Sequence, residues 1–164
     1  MDVLEPPRVE ARPAAHYLGI RVLTPFRGML AVRDQLLAEL YAWCDRHPDP
    51  SYGTSFLRLH VVDMTGTMDI AVGVRTEAPA TGDDRVRPDV LPAGDYATLT
   101  YRTHDRRANK LLLDWVSEQG LALDRRTEPD GDHFTCRYEE YLSDPRTNPR
   151  KTQWKMGLRF KLAS

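Results

Sequence analysis

Two cysteines, Cys44 and Cys136, are all that the 164 residues contain, and they lack the paired spacing of a metal site or redox motif. They are expected as reduced thiols in the core. Neither charge sign dominates: 23 Lys and Arg stand against 24 Asp and Glu, for a formal net charge of −1. A chain so balanced has no uniformly basic face to hold a phosphate backbone, so nucleic acid is not expected as a direct partner. No apolar run approaches the ~20 residues of a membrane span, and the N-terminal MDVLEPPRVEARPAAH does not read as a signal peptide. No membrane association and a cytoplasmic location are therefore expected. There is no G-x-S-x-G elbow, phosphate loop or dinucleotide fingerprint. Nor does His16, His104 or His133 have a second ligand at useful spacing, so neither a metal nor another cofactor is expected.

What is present is patterned. The length suits one domain with a sizeable core. Leu18, Ile20 and Val22 alternate with Tyr17, Gly19 and Arg21, the period of a strand with one buried face. Thr24-Pro25 breaks it. From Met29 to His47, Val32, Leu36, Leu37, Leu40, Trp43 and Cys44 recur at three-and-four spacing and predict an amphipathic helix. Residues 56–63 and 67–76 read as a hairpin turning at Thr65-Gly66, and 77–90 as a surface connection. A strand over 96–102 follows, then a helix capped by Asp105 and ending near Gly120. The turn EPDGD separates this helix from a strand over 134–142, and a last strand carries Trp154, Met156, Leu158, Phe160 and Leu162 on one face.

The stretches RPAAHYLGIRV and LPAGDYATLTY both read Pro-Ala-x-x-Tyr before an alternating apolar run, 79 positions apart. Each opens a strand–helix–strand–strand unit too small to bury its own helix well. The economical arrangement joins two βαββ units, residues 9–76 and 88–162, into one mainly antiparallel α+β sheet with both helices on one face. A pseudo-two-fold axis with a ligand groove between the halves is expected.

Five segments in this order, RPAAHYLGIRV, MDIAVGV, LPAGDYATLTY, RYEEYLSDP and QWKMGLRF, resemble the GyrI-like small-molecule-binding family, known as the effector domain of AraC-type and multidrug-responsive regulators. The resemblance implies a pair of βαββ units holding flat, aromatic and often cationic molecules, and some free-standing members are hydrolases of cyclopropane-bearing DNA-alkylating natural products. Two usual carboxylates are replaced, at Ala71 and at Gly157. Without them a lipophilic cation loses its counter-charge, and Gly157 is expected to make room for a bulkier or neutral ligand.

Tyr17 and Tyr96, at equivalent places in the two halves, are candidates to stack on an aromatic ligand, or else they merely cover the sheet. Arg21 and Thr98, flanking these tyrosines, and Tyr141 and Trp154 complete the candidate lining with Ala71 and Gly157. Glu139, or Glu140 after a one-residue slip, is the candidate acid or base, set against a surface strand in which Arg137 and Glu139 pair with neighbours. His60 is a weaker partner base, set against an ordinary polar strand residue. PRTNPRK, with Lys151 and Lys155, reads as a solvated connection that could also gate the groove.

Together these features point to binding of a hydrophobic, aromatic small molecule for sensing, sequestration or resistance, by a monomer or weak homodimer. No DNA-binding segment is read before the unit, so it is not expected to be a complete regulator. Two alternatives stay open: a hydrolase that opens an electrophilic strained ring with Glu139 as acid or base, and an accessory protein that binds a topoisomerase.

Overall fold

A computed structural model describes residues 1–103 and 106–164, so the expected Asp105 cap and His104 lie outside the described residues. The chain runs β1 (Asp2–Arg12), β2 (Ala15–Pro25), α1 (Met29–Arg46), β3 (Ser55–Val62), β4 (Thr67–Thr76), β5 (Arg87–Leu91), β6 (Gly94–Arg102), α2 (Arg107–Glu118), β7 (Arg125–Glu128), β8 (Gly131–Phe134), β9 (Arg137–Tyr141), a short 3-10 turn (Lys151–Gln153) and β10 (Lys155–Lys161). Eight strands form one path, β1-β6-β10-β9-β3-β4-β2-β5, and every pairing is antiparallel. No helix among the described residues is long and apolar enough to cross a membrane.

The order is symmetric about the β9–β3 seam. β2, α1, β3 and β4 make one unit, and β6, α2, β9 and β10 make the other. Each unit takes its outermost strand from the segment that leads into its counterpart: β1 runs into β2 but pairs with β6, while β5 runs into β6 but pairs with β2. The registers correspond as well. Tyr17 faces Arg75 on β4 as Tyr96 faces Lys161 on β10, and Arg58 faces Ala71 as Glu140 faces Gly157. Along the seam Phe56 faces Glu140, Arg58 faces Tyr138, and Leu57 faces Glu139. The last pair lies on the axis.

Both helices pack on one face. Leu36, Leu37, Leu40, Trp43 and Cys44 of α1 and Ala108, Leu112 and Val116 of α2 share one apolar cluster with Leu18, Ile20, Leu57, Ile70, Val72, Leu99, Met156, Leu158 and Phe160 of the sheet. Each such aliphatic side chain contributes roughly 1.5–3 kcal/mol by leaving water, which is what fixes the helices to the sheet. The opposite face is buried too, around Tyr17, Phe56, Leu91, Tyr96, Cys136 and Tyr138. Both cysteines are free and buried, Cys44 under the helices and Cys136 on the far side.

Three features go beyond the sequence expectation: β1, the β7–β8 hairpin and β5. β1 contains Pro6 and Pro7, which deny a central strand its ladder hydrogen bonds, yet β1 is an edge strand whose register shifts around them. The EPDGD turn joins β7 to β8 in a charged hairpin with no apolar alternation, and β8 pairs onto the end of β3. β5 begins inside the expected connection, at Arg87.

Candidate functional site

Alternation along each strand divides the candidate residues between the two faces of the sheet. Tyr17, Arg21, Tyr96, Thr98, Ala71, Gly157 and His60 belong to the face away from the helices, whereas Glu139, Tyr141 and Trp154 belong to the helix face. The expected single groove holding both tyrosines and Glu139 is corrected by this geometry: the sheet stands between them.

Tyr17 is 3% exposed and Tyr96 1%. The Tyr17 ring packs edge-on to Phe56 at 4.9 Å and lies over two glycines, since a Cβ on Gly73 or Gly19 would meet it at 2.7 or 3.0 Å. Its hydroxyl donates to Asp89 at 3.1 Å and accepts from Arg58 at 3.1 Å. Tyr96 donates to the Pro92 carbonyl at 2.6 Å. Burial raises both phenol pKa values, so each stays a neutral donor. These tyrosines fill a closed second core. Arg58 ties that core together by donating also to the carbonyls of Val90 and Thr135, at 3.0 and 2.9 Å.

Ala71 and Gly157 lie at corresponding positions, beside Arg58 and Glu140 respectively. The expectation that Gly157 opens space is overturned, because the Arg159 guanidinium lies on it: a Cβ there would sit 2.5–2.7 Å from three guanidinium atoms. Arg159 in turn pairs with buried Glu140 at 3.3 Å. Glu140 also accepts from Thr54 at 2.6 Å and Arg75 at 3.3 Å, with Arg12 at 3.6 Å. Burial alone would raise its pKa, but Thr54 and the three arginines outweigh that and hold the carboxyl below its usual value. Glu140 is thereby committed to a structural cluster. Buried Thr98 and exposed Arg21, whose guanidinium is held by Asp69 at 2.8 and 2.9 Å, lie further along the same face.

His60 sits at a bulge between Leu59 and Val61. It is buried, and burial together with the nearby Arg58 and Arg21 charges lowers its pKa to about 4. With the sheet between them, His60 cannot share a proton with Glu139.

On the helix face Glu139 is half-buried at the axis. The Tyr101 hydroxyl donates to its Oε1 at 3.2 Å. Tyr141, two residues on, is fully buried, and burial and the Glu139 charge push its phenol well above the usual range. Trp154 meets the Tyr141 ring edge-on at 5.5 Å and donates its indole N–H to the Asn148 carbonyl at 2.7 Å. Arg33 enters from α1, 3% exposed, with its guanidinium 5.8 Å from the centre of the Tyr141 ring and one N–H reaching that hydroxyl at 3.5 Å. Burial pulls the Arg33 pKa down, but Tyr141, Asp34 and Glu139 outweigh it, so Arg33 keeps its charge. Lys151 reaches across to Asp34, which fastens the PRTNPRK connection to α1.

Tyr101 and Arg33 both act on Glu139, and the sequence reading missed both. Tyr101 belongs to an apolar alternation and reads as core, which it also is. Arg33 follows Val32 inside a helical stripe, one step from the apolar positions; a charge that close to a buried stripe is the one available signal. Arg137, read only as a surface residue pairing with neighbours, instead lies over the Phe160 and Phe134 rings at 4.4 and 4.9 Å and donates to Asn109 of α2 at 3.0 Å. Burial, aided by Arg125, lowers its pKa to about 10.

Comparisons with solved structures agree with the fold. The EcmrR C-terminal domain matches with a TM-score of 0.71 at 15% identity, covering 98% of this chain and 99% of that one. A hydrolase from Listeria innocua matches with a TM-score of 0.60 at 14% identity, covering 96% and 92%. SAV2435 bound to tetraphenylphosphonium matches with a TM-score of 0.60 at 8% identity, covering 98% and 95%. No curated protein sequence matches. The model of the GyrI-like small molecule binding domain matches residues 5–162, and with two βαββ units meeting at a symmetric seam this chain belongs to that family.

Proposed function

We propose that the chain binds a neutral, hydrophobic aromatic molecule on the helix face, where Glu139 accepts a hydrogen bond from it. The observation that carries this reading is the charge arrangement at the axis among the described residues: half-buried Glu139 is held by Tyr101, and buried Arg33, paired with Asp34 at 2.9 Å, keeps a positive charge nearby. Tyr141 and Trp154 supply aromatic surface behind it. A cation such as tetraphenylphosphonium, the ligand seen with SAV2435, meets the field of Arg33 here. At an effective dielectric near 20, a like charge about 6 Å away costs roughly 3 kcal/mol, which offsets the attraction that Glu139 exerts on a cation at similar range. Titrating Trp fluorescence with acridone, a neutral three-ring probe, and with tetraphenylphosphonium tests this. Saturable binding of acridone with at least tenfold weaker binding of the cation supports the reading, and the reverse order removes it.

A second reading is favoured by the Tyr101 hydrogen bond and by the likeness to the Listeria innocua hydrolase. A carboxylate held by a phenol donor can take a proton from water as that water attacks an electrophilic cyclopropane. The water oxygen bonds to a ring carbon, the strained C–C bond breaks, and its electron pair passes to the conjugated acceptor, which is then protonated. Incubation with a cyclopropane-bearing alkylator and mass spectrometry decides: a product heavier by one water and lost in Glu139→Gln supports hydrolysis, whereas unchanged compound that remains bound supports sequestration.

A further inference from the structure

We propose that the cavity of about 260 Å³ between the β7–β8 hairpin and strands β2 and β3 is a second ligand site, for a small oxyanion, anchored by His60. The hairpin is fixed over this end of the sheet by the Val61–His133 and Val62–Asp132 register pairs. Its turn residue Gly131 has φ +127°, and a Cβ there would lie 2.6 Å from the Val62 carbonyl. At the bulge in β3, consecutive residues His60 and Val61 both line the cavity. His60 is 9% exposed, and its buried Nε2 has no hydrogen-bond partner among the described residues. A buried ring nitrogen left unpaired costs free energy that a ligand recovers.

The charged lining specifies the ligand. Arg21, Arg125 and Arg126 border the cavity, against the single carboxylate of Asp124, which Lys161 holds at 2.8 Å. The arginines lean on carboxylates outside the lining: Asp69 with Arg21 at 2.8 Å, Asp132 with Arg125 at 3.8 Å, and Glu128 with Arg126 at 3.0 Å. Such solvent-facing pairs are worth about 0–1 kcal/mol, so an oxyanion that accepts from two donors competes with them. His133, the other imidazole in the lining, is already taken by Asp130 at 2.7 Å. The cavity and His60 share no residue with the Glu139 site, so this inference stands apart from the ligand proposed there.

A neutral imidazole carries its proton on either nitrogen, and an oxyanion selects the tautomer with Nε2–H. Inorganic phosphate and malonate are therefore titrated separately, at constant pH and ionic strength, while the ring nitrogen resonances of His60 are followed by NMR. The expected result is a saturable shift toward the Nε2–H tautomer that chloride does not produce, with affinity ~10–100-fold weaker in His60→Gln. The tighter of the two anions tells a phosphorylated ligand from a short dicarboxylate. Absence of a His60 shift with both anions, or an equal shift with chloride, overturns the proposal. The His60 resonance of the parent protein decides between these outcomes even if the variant folds poorly.

Discussion

Leu57 faces Glu139 across the β3–β9 seam, and the two residues hold corresponding places in the two halves. A frame that is otherwise repeated thus presents one carboxylate at its axis. The asymmetry continues around it, since Tyr101 of the second half occupies the place that Val22 holds in the first. Ligand chemistry is written into such departures from the repeat.

Arg33 tunes the site against cations. Arg33→Met keeps much of the side-chain length and apolar contact while removing that positive charge from the surroundings of Glu139. The expected outcome is a gain of tetraphenylphosphonium binding of at least tenfold, with acridone affinity changed less, measured by fluorescence titration. An unchanged cation affinity would show that Arg33 does not set the field at Glu139.

Gly157 is needed because Arg159 covers it. Gly157→Ala pushes the guanidinium off and weakens its pairing with Glu140, which Thr54, Arg75 and Arg12 still hold. A loss of about 1–3 kcal/mol in urea unfolding is expected. In an Arg159→Met background the same substitution should cost under half as much, because the displaced group is gone.

Gly73 is tighter still. A methyl group there meets the rings of Phe56 and Tyr17, which lie in a closed core and cannot swing away. Gly73→Ala should destabilise by about 1–3 kcal/mol, through overpacking of the second core, and leave acridone binding on the other face unaffected once the variant is folded.

The pKa of His60, near 4 in the fold, lies below its ordinary value of 6.5. Between these values the unfolded chain takes up a proton that the folded chain refuses. Stability therefore falls as pH drops from 6.5 toward 4, by up to about 3 kcal/mol, and this group has no effect above that window. The depressed pKa of Glu140 acts lower, below the ordinary carboxyl value of 4.5. Urea unfolding from pH 7 to 4.5 should show this slope in the parent protein and a shallower one in His60→Gln.

The two repeated Tyr motifs, both helices and the β3–β4 hairpin were legible because their periodicity matches their burial. The faces were harder to read. Val72 and Val74 are buried on the helix face while Ala71 and Gly73 are buried on the other, so β4 shows no polar alternation to mark its sides. The Tyr17 and Tyr96 pair was recognisable as a repeat, but not as the filling of a second core, because ring cover by a curved sheet and its loops is a tertiary property. Arg33 comes to Glu139 from a helix more than a hundred positions earlier, a separation that no local pattern encodes.

In the proposed function, ligand meets the helix face at Glu139 and not the tyrosine face. Acridone affinity, measured by isothermal titration in Glu139→Gln, Tyr101→Phe, Tyr17→Phe and Tyr96→Phe, separates the two faces. At least tenfold weaker binding is expected in Glu139→Gln, a smaller loss in Tyr101→Phe, and parent-like affinity in the other two. Loss of binding in Tyr17→Phe and Tyr96→Phe, with Glu139→Gln unaffected, would place the ligand on the tyrosine face and contradict the proposal.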